Sequence, residues 1–147
     1  MSDPVKVSLL KAIETALKTV TGIKTVHRTP STPIDRETAA YPFVSMHPGK
    51  DAPEERNRIV IITFPLELMI WTLAGATPIE DQGDILEAEI IKTMFTNTQV
   101  AYWSLRIKYA GSDYFYTDNE LIGGKFIWFD VTYAYRYGDP YNPAKGV

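Results

Sequence analysis

The 147-residue chain contains no cysteine, which excludes a disulfide framework and any zinc site built on thiolates. Hydrophobic burial has to hold the fold together. Histidine is nearly absent too. His27 and His47 stand twenty residues apart without clustered carboxylates, and no metal is expected where the close ligand spacing of a metal centre is missing. Charge of neither sign dominates: 15 Lys and Arg face 18 Asp and Glu, for a net −3, which argues against a dedicated binder of nucleic acid or anionic membrane. No apolar run approaches the ~18 residues of a membrane span. Met1-Ser2-Asp3-Pro4 has no charged segment leading into an apolar one, so a soluble protein made inside the cell is expected.

Catalytic patterns are missing as well. Ser45 shares a strand phase with His47, but no nucleophile elbow surrounds the serine and no acid is in place to orient the histidine. Gly123-Gly124 lacks a phosphate-loop lysine and the spaced glycines of a dinucleotide turn, and reads as a β-turn. Asp118-Asn119-Glu120 lacks the twelve-position calcium loop and reads as a solvated turn. Neither an enzyme nor a cofactor is expected.

What the chain does have is apolar and aromatic surface, 45% and 12% of its residues, ample for the core of one domain of this length. Asp3-Pro4 opens a helix in which Leu9, Ile13, Ala16 and Val20 recur at helical spacing. Gly22 follows where a left-handed stop belongs, and Ile23 to Arg28 reads as a strand. A loop over 29–40 leads to a strand from Tyr41 to His47. Pro48 to Asn57 reads as a polar peripheral loop. Arg58 to Leu73 alternates strictly through Val60, Ile62, Phe64, Leu66, Leu68 and Ile70, with Pro65 on the other phase marking an edge, bulge or bend.

A second helix runs from about Glu80 to Phe95 after the turn at Gly75 to Pro78. Its apolar residues Leu86, Ala88, Ile90, Ile91, Met94 and Phe95 cover an arc of about 200°, wider than core packing alone requires, with Glu87 near the middle. Gln99 to Tyr109 reads as a strand with Trp103, Leu105, Ile107 and Tyr109 on one face. Tyr114 to Tyr116 reads as a short strand or rim, and Lys125 to Tyr137 as the last long strand. The order predicts an α+β domain over residues 1–137, a mainly antiparallel sheet with two α-helices packed on one face, followed by a C-terminal tail or arm over 138–147.

The long strands divide unevenly between their faces. One face is almost wholly apolar, yet the opposite one keeps Met69, Trp71 and Trp128 among Glu67, Arg106, Lys108 and Asp130. An isolated soluble domain has little reason to turn large aromatics to water, so this face is expected to meet other protein chains. Glu67 reads as one member of a cross-strand ion pair with Arg106 or Lys108. Arg106, Lys108 and Arg136 near Tyr102 and Trp128 form a basic and aromatic strip, but Glu67 and Asp130 share the face, which disfavours sequence-specific nucleic-acid recognition. The interface residues expected from these patterns are Arg56, Glu67, Met69, Trp71, Glu87, Ile91, Arg106, Trp128 and Tyr141.

The helix ending in Thr21-Gly22-Ile23, the extended Tyr41-Pro42-Phe43-Val44, the strand from Thr63 to Trp71 with a helix after it, and the closing Phe129-Asp130-Val131-Thr132-Tyr133 resemble the tail terminator, or tail completion, proteins of tailed bacteriophages. The resemblance implies a structural virion protein of the tail or neck, assembled in the host cytoplasm. It implies a homo-hexamer that caps the tail tube protein, ends polymerisation and meets the head-completion or neck proteins, while DNA passes through the ring without sequence-specific binding. It carries no catalytic residue, and membranes play no part. Two other readings stay open: another neck or head-tail connector component, and a small ligand-binding α+β domain, which would need a pocket with converging polar groups.

Overall fold

The computed structural model describes residues 2–28, 40–117 and 121–146. Most of the loop expected over 29–40 and the Asp118-Asn119-Glu120 turn lie outside the described residues. The fold is α+β, and among the described residues it has three helices rather than two and seven strands in a mostly antiparallel, curled sheet. In chain order these are α1 Val5–Lys18, β1 Thr25–Arg28, β2 Phe43–Pro48, β3 Ala52–Arg56, β4 Ile59–Leu73, α2 Ile79–Thr96, α3 Thr98–Trp103, β5 Arg106–Tyr116, β6 Ile122–Arg136 and β7 Asp139–Pro143. The main path is β1-β2-β4-β6-β5, with β3 paired to β4 and β7 to β6. Among the described strands, only β1 and β2 run parallel.

The alternation in β4 and β6 becomes a 15-residue antiparallel register from Ile59 opposite Arg136 to Leu73 opposite Ile122. One phase is the core. Val60 packs against it, Ile62 to Ile70 are buried in it, and they meet Ile127, Phe129, Val131 and Tyr133 of β6 in a single cluster. Leu9, Ile13 and Leu17 of α1 and Leu86, Ile90 and Met94 of α2 close that cluster. At helical pitch the buried residues of α2, namely Ile79, Gly83, Leu86, Ile90 and Met94, fall within an arc of about 80°.

Several expectations need correction. Gln99 to Trp103 is helix: the Asn97 side chain accepts the Gln99 and Val100 N–H groups at 3.0 Å each, an N-cap that starts α3 one residue after α2 ends. The strand of this region is β5, which begins at Arg106 and continues through Tyr114 and Tyr116 past a bulge at Gly111. The polar stretch before Arg58 is also strand: β3 folds back on β4 through Asn57 (φ 53°) and Arg58 (φ 64°), consecutive left-handed residues of a tight hairpin turn. The segment past Gly138 pairs with β6 as β7, and Ala144, its N–H on the Ala134 carbonyl at 2.8 Å, is buried against Ile61 and Ala134.

Gly123 and Gly124 lie inside β6 rather than in a turn. A Cβ on Gly124 would sit 1.7 Å from the Ile70 carbonyl oxygen, so the close approach of β4 demands glycine there. Pro65 is not on an edge strand, yet it falls where β4 changes partner. β2 ends opposite Leu66 and β3 begins opposite Thr63, so no ladder donor is needed from residue 65 on that side. Instead the Pro65 carbonyl accepts the Gly49 N–H at 2.7 Å.

Candidate docking surfaces

The outer phase of the sheet carries a band of rings. Phe43 stacks on Trp71 at 5.6 Å between centroids, Trp71 meets Phe115 edge-on at 4.9 Å, Phe115 meets Phe126 at 5.0 Å, and Phe126 stacks on Trp128 at 5.9 Å. The band thus crosses β2, β4, β5 and β6. Gly124 makes it continuous. It stands opposite both Trp71 and Phe115 in the register, and without a side chain it lets those two rings meet across β6. Adjacent rings at such spacings contribute about 0.5–1.5 kcal/mol a pair beyond their burial.

Polar contacts fix the two indoles of this band. Trp128 donates Nε1–H to Glu67 at 2.9 Å, directly across the β4–β6 register. Glu67 is therefore an indole acceptor rather than half of the expected ion pair. Trp71 donates to the Ser45 hydroxyl at 3.2 Å, and that hydroxyl also bonds His47 Nε2 at 2.8 Å. The serine and histidine do meet. With Ser45 1% exposed and its oxygen occupied by an indole, however, the pair anchors Trp71 and has no room to attack a substrate.

Of the expected interface residues, Glu67, Met69, Trp71 and Trp128 are brought together here, each half-buried. Arg106 lies on the same face, opposite Thr132, about 13 Å along β6 from Trp128. Arg56 is on β3, opposite Ile59 and paired with Glu54, and Tyr141 is exposed on β7. Glu87 and Ile91 lie elsewhere, since Ile91 packs on the core and Glu87 binds Lys125. The free side of α2 instead carries Ile85, 61% exposed, with Ala88 and Phe95.

Between α2 and β5 lies a ladder of charge that periodicity did not reveal. Glu80, Asp84 and Glu87 recur along α2, and each accepts a tyrosine hydroxyl from β5: Tyr116 to Glu80 at 2.7 Å, Tyr114 to Asp84 at 2.8 Å, Tyr109 to Glu87 at 3.1 Å. Lys125 sits beneath them, within 2.8 Å of both Asp84 and Glu87. Burial by itself would depress the lysine, but its bonds to Asp84 and Glu87 outweigh that and hold its pKa above the ordinary value. The Tyr116 hydroxyl lowers Glu80, and Lys125 followed by Tyr114 lowers Asp84. The sequence signal was a lysine on the core side of β6, between Gly124 and Phe126.

At the far end of β4 a cleft of about 570 Å³ is lined by Ala74, Gly75, Pro78, Ile79, Glu80, Tyr116 and Thr117. Leu73 and Leu121 are exposed beside it. Among the described residues no group of His, Asp and Glu side chains has the arrangement of a metal site. No described helix is long and apolar enough to cross a membrane. No model of a known protein family matches the chain, and a search of curated proteins returns no significant match.

Proposed function

We propose that this chain is a structural virion protein that forms a homo-hexameric ring on the end of a phage tail tube, stops tube growth and presents the surface to which head-completion or neck proteins attach. The observation that carries the reading is the aromatic band from Phe43 to Trp128, in which Trp71, Phe115, Phe126 and Trp128 are partly exposed and Phe43 is wholly buried at one end. Its rings meet in stacked, edge-on and tilted pairs, its indoles are tied by hydrogen bonds, and it is therefore pre-oriented for contact with a rigid protein surface. A closed ring needs two unlike patches on every subunit, because each neighbour meets a different side. The band is one such patch. The Ile85, Ala88 and Phe95 side of α2 is the other. The resemblance to tail terminators supplies the ring size, the tail or neck location and assembly in the host cytoplasm. DNA crossing the ring fits a chain of mixed charge and no sequence readout.

Solution mass and electron microscopy test this, with the protein alone and with tube protein. Six-fold rings or capped tubes support it. A monomer that ignores tubes at high concentration overturns it. The cleft beside Glu80 and Tyr116 favours a second reading, a small-ligand module. That reading requires a ligand to raise the melting temperature of a monomer.

A further inference from the structure

Two hairpin turns meet at the end of the sheet opposite the Leu73 cleft. The Asn57-Arg58 turn joins β3 to β4, the chain reverses at Gly138 between β6 and β7, and the Tyr137 N–H donates to the Arg58 carbonyl at 2.8 Å, which locks one turn to the other. Between them is a cleft of about 630 Å³ lined by Asn57, Arg58, Arg136 and Tyr137. The Arg58 and Arg136 guanidiniums have no hydrogen-bond or ion-pair partner among the described residues. Of the nearby acids, Glu54 pairs with Arg56, Glu55 lies opposite Val60, and Asp139, the register partner of Arg136, accepts from the Asn142 amide and makes no ion pair with Arg136. Arg106 and Lys108 extend the cationic surface along β5, again without ion pairs among the described residues.

Arg58 makes this cleft more than a chance meeting of surface charges. It occupies the second central position of the turn at φ 64°, where glycine is favoured and a long side chain carries strain. Its guanidinium makes no bond within the described chain that would account for keeping arginine there. Two unpaired guanidiniums, an amide and a tyrosine ring 63% exposed form a set of donors with one stacking surface. Such planar donor forks match phosphate oxygens, and no base-reading geometry accompanies them.

We infer that the Arg58–Arg136 cleft binds phosphodiester groups of a nucleic-acid backbone, without regard to sequence. The inference does not depend on ring formation, because every residue of the cleft belongs to one subunit.

Fluorescence anisotropy of labelled 20-mers tests it, using single-stranded and duplex DNA of scrambled sequence, with inorganic phosphate as competitor. Two phosphate contacts predict a duplex affinity that falls about tenfold between about 50 and about 200 mM salt. Arg136→Ala lowers the salt slope by about one and weakens all sequences alike. Arg58→Gly is the decisive variant: it relieves the turn, so it melts no lower than the parent chain, yet it loses affinity as Arg136→Ala does. Tighter binding of the single strand assigns a stacking role to Tyr137, equal binding leaves the phosphates as the ligand, and either outcome supports the site. Four results overturn it: no binding at low salt, binding unchanged in both variants, full competition by millimolar phosphate with no preference for the polymer, or a concentration-dependent rise in mass that Arg136→Ala abolishes, which would make a second copy the occupant.

Discussion

The two faces of β4 share one alternation but stabilise it by different means. On the inner face Phe64, Leu66, Leu68 and Ile70 are wholly buried in the apolar core, where Phe64 also meets Tyr133 edge-on and lies under the Lys6 ammonium. On the outer face Glu67, Met69 and Trp71 are half-buried, and the large rings are held laterally by stacking and by indole N–H bonds to Glu67 and Ser45. The contrast teaches how a sheet braces aromatic rings that the described residues cover only in part. Each ring is braced by its neighbours within the sheet, so the exposed side keeps one orientation and remains available for docking.

Breaking either face at its tightest point gives the largest effects. Gly124→Ala on the outer face puts a methyl into the Ile70 carbonyl and against the Phe115 ring, so β4 and β6 must separate locally. A loss of about 4 kcal/mol or more is expected in chemical denaturation. Phe129→Ala on the inner face leaves a cavity among α2, β4 and β6, with an expected loss of about 3–5 kcal/mol. If Gly124→Ala proved as mild as a surface change, the close approach that unites the aromatic band would not exist in solution.

Much of this contrast was legible in the sequence. The β4 and β6 alternations identified the inner face and left Met69, Trp71 and Trp128 outside it, which is where they stand. The missing parts have local physical causes. Gln99 to Trp103 matched a strand pattern in period, but Asn97 offered a capping oxygen to two N–H groups and one turn of helix prevailed. The Asn57-Arg58 turn lacks the glycine that marks such hairpins, so β3 was hidden. Phe115 and Phe126 join Trp71 and Trp128 only because Gly124 is empty, a relation among three strands that one-dimensional spacing does not express. The Arg58–Arg136 cleft likewise depends on two turns, at Arg58 and Gly138, that lie far apart in the sequence and are joined by one backbone bond.

Trp128→Ala and Trp71→Ala sharpen the comparison further, because they separate bracing from docking. Each removes a half-buried ring with its aromatic contacts, and a stability loss of about 1–2 kcal/mol is expected, well below that of Phe129→Ala. Assembly should suffer far more than folding does. If ring formation survived both changes while stability dropped as for a core residue, the band would be a second core and the docking reading would fall. Lys125→Met lies close in size. It leaves Glu87, itself only 14% exposed, without its cation, at an expected cost of about 2 kcal/mol, with no effect on assembly because the lysine faces α2 and not the band.

The smallest effect concerns the tyrosine ladder, where pH gives the sign. Glu80 and Asp84 have folded pKa values below their unfolded ones, so their contribution is present above the ordinary carboxylate range and is lost as pH falls through the depressed values. Lys125 is raised, so its contribution holds below the ordinary lysine value and disappears only as pH climbs through the folded one. Glu80, Asp84 and Lys125 are therefore all charged near neutrality, and their contribution weakens first in acid. Tyr116→Phe removes the main cause of the Glu80 shift and nothing from Asp84, whose hydroxyl partner is Tyr114. Carboxyl titration by NMR should show Glu80 returning toward its ordinary value with Asp84 unmoved. Both groups moving together would mean that α2 shifts as a body, and that the ladder sets the position of the helix relative to β5 instead of merely decorating its edge.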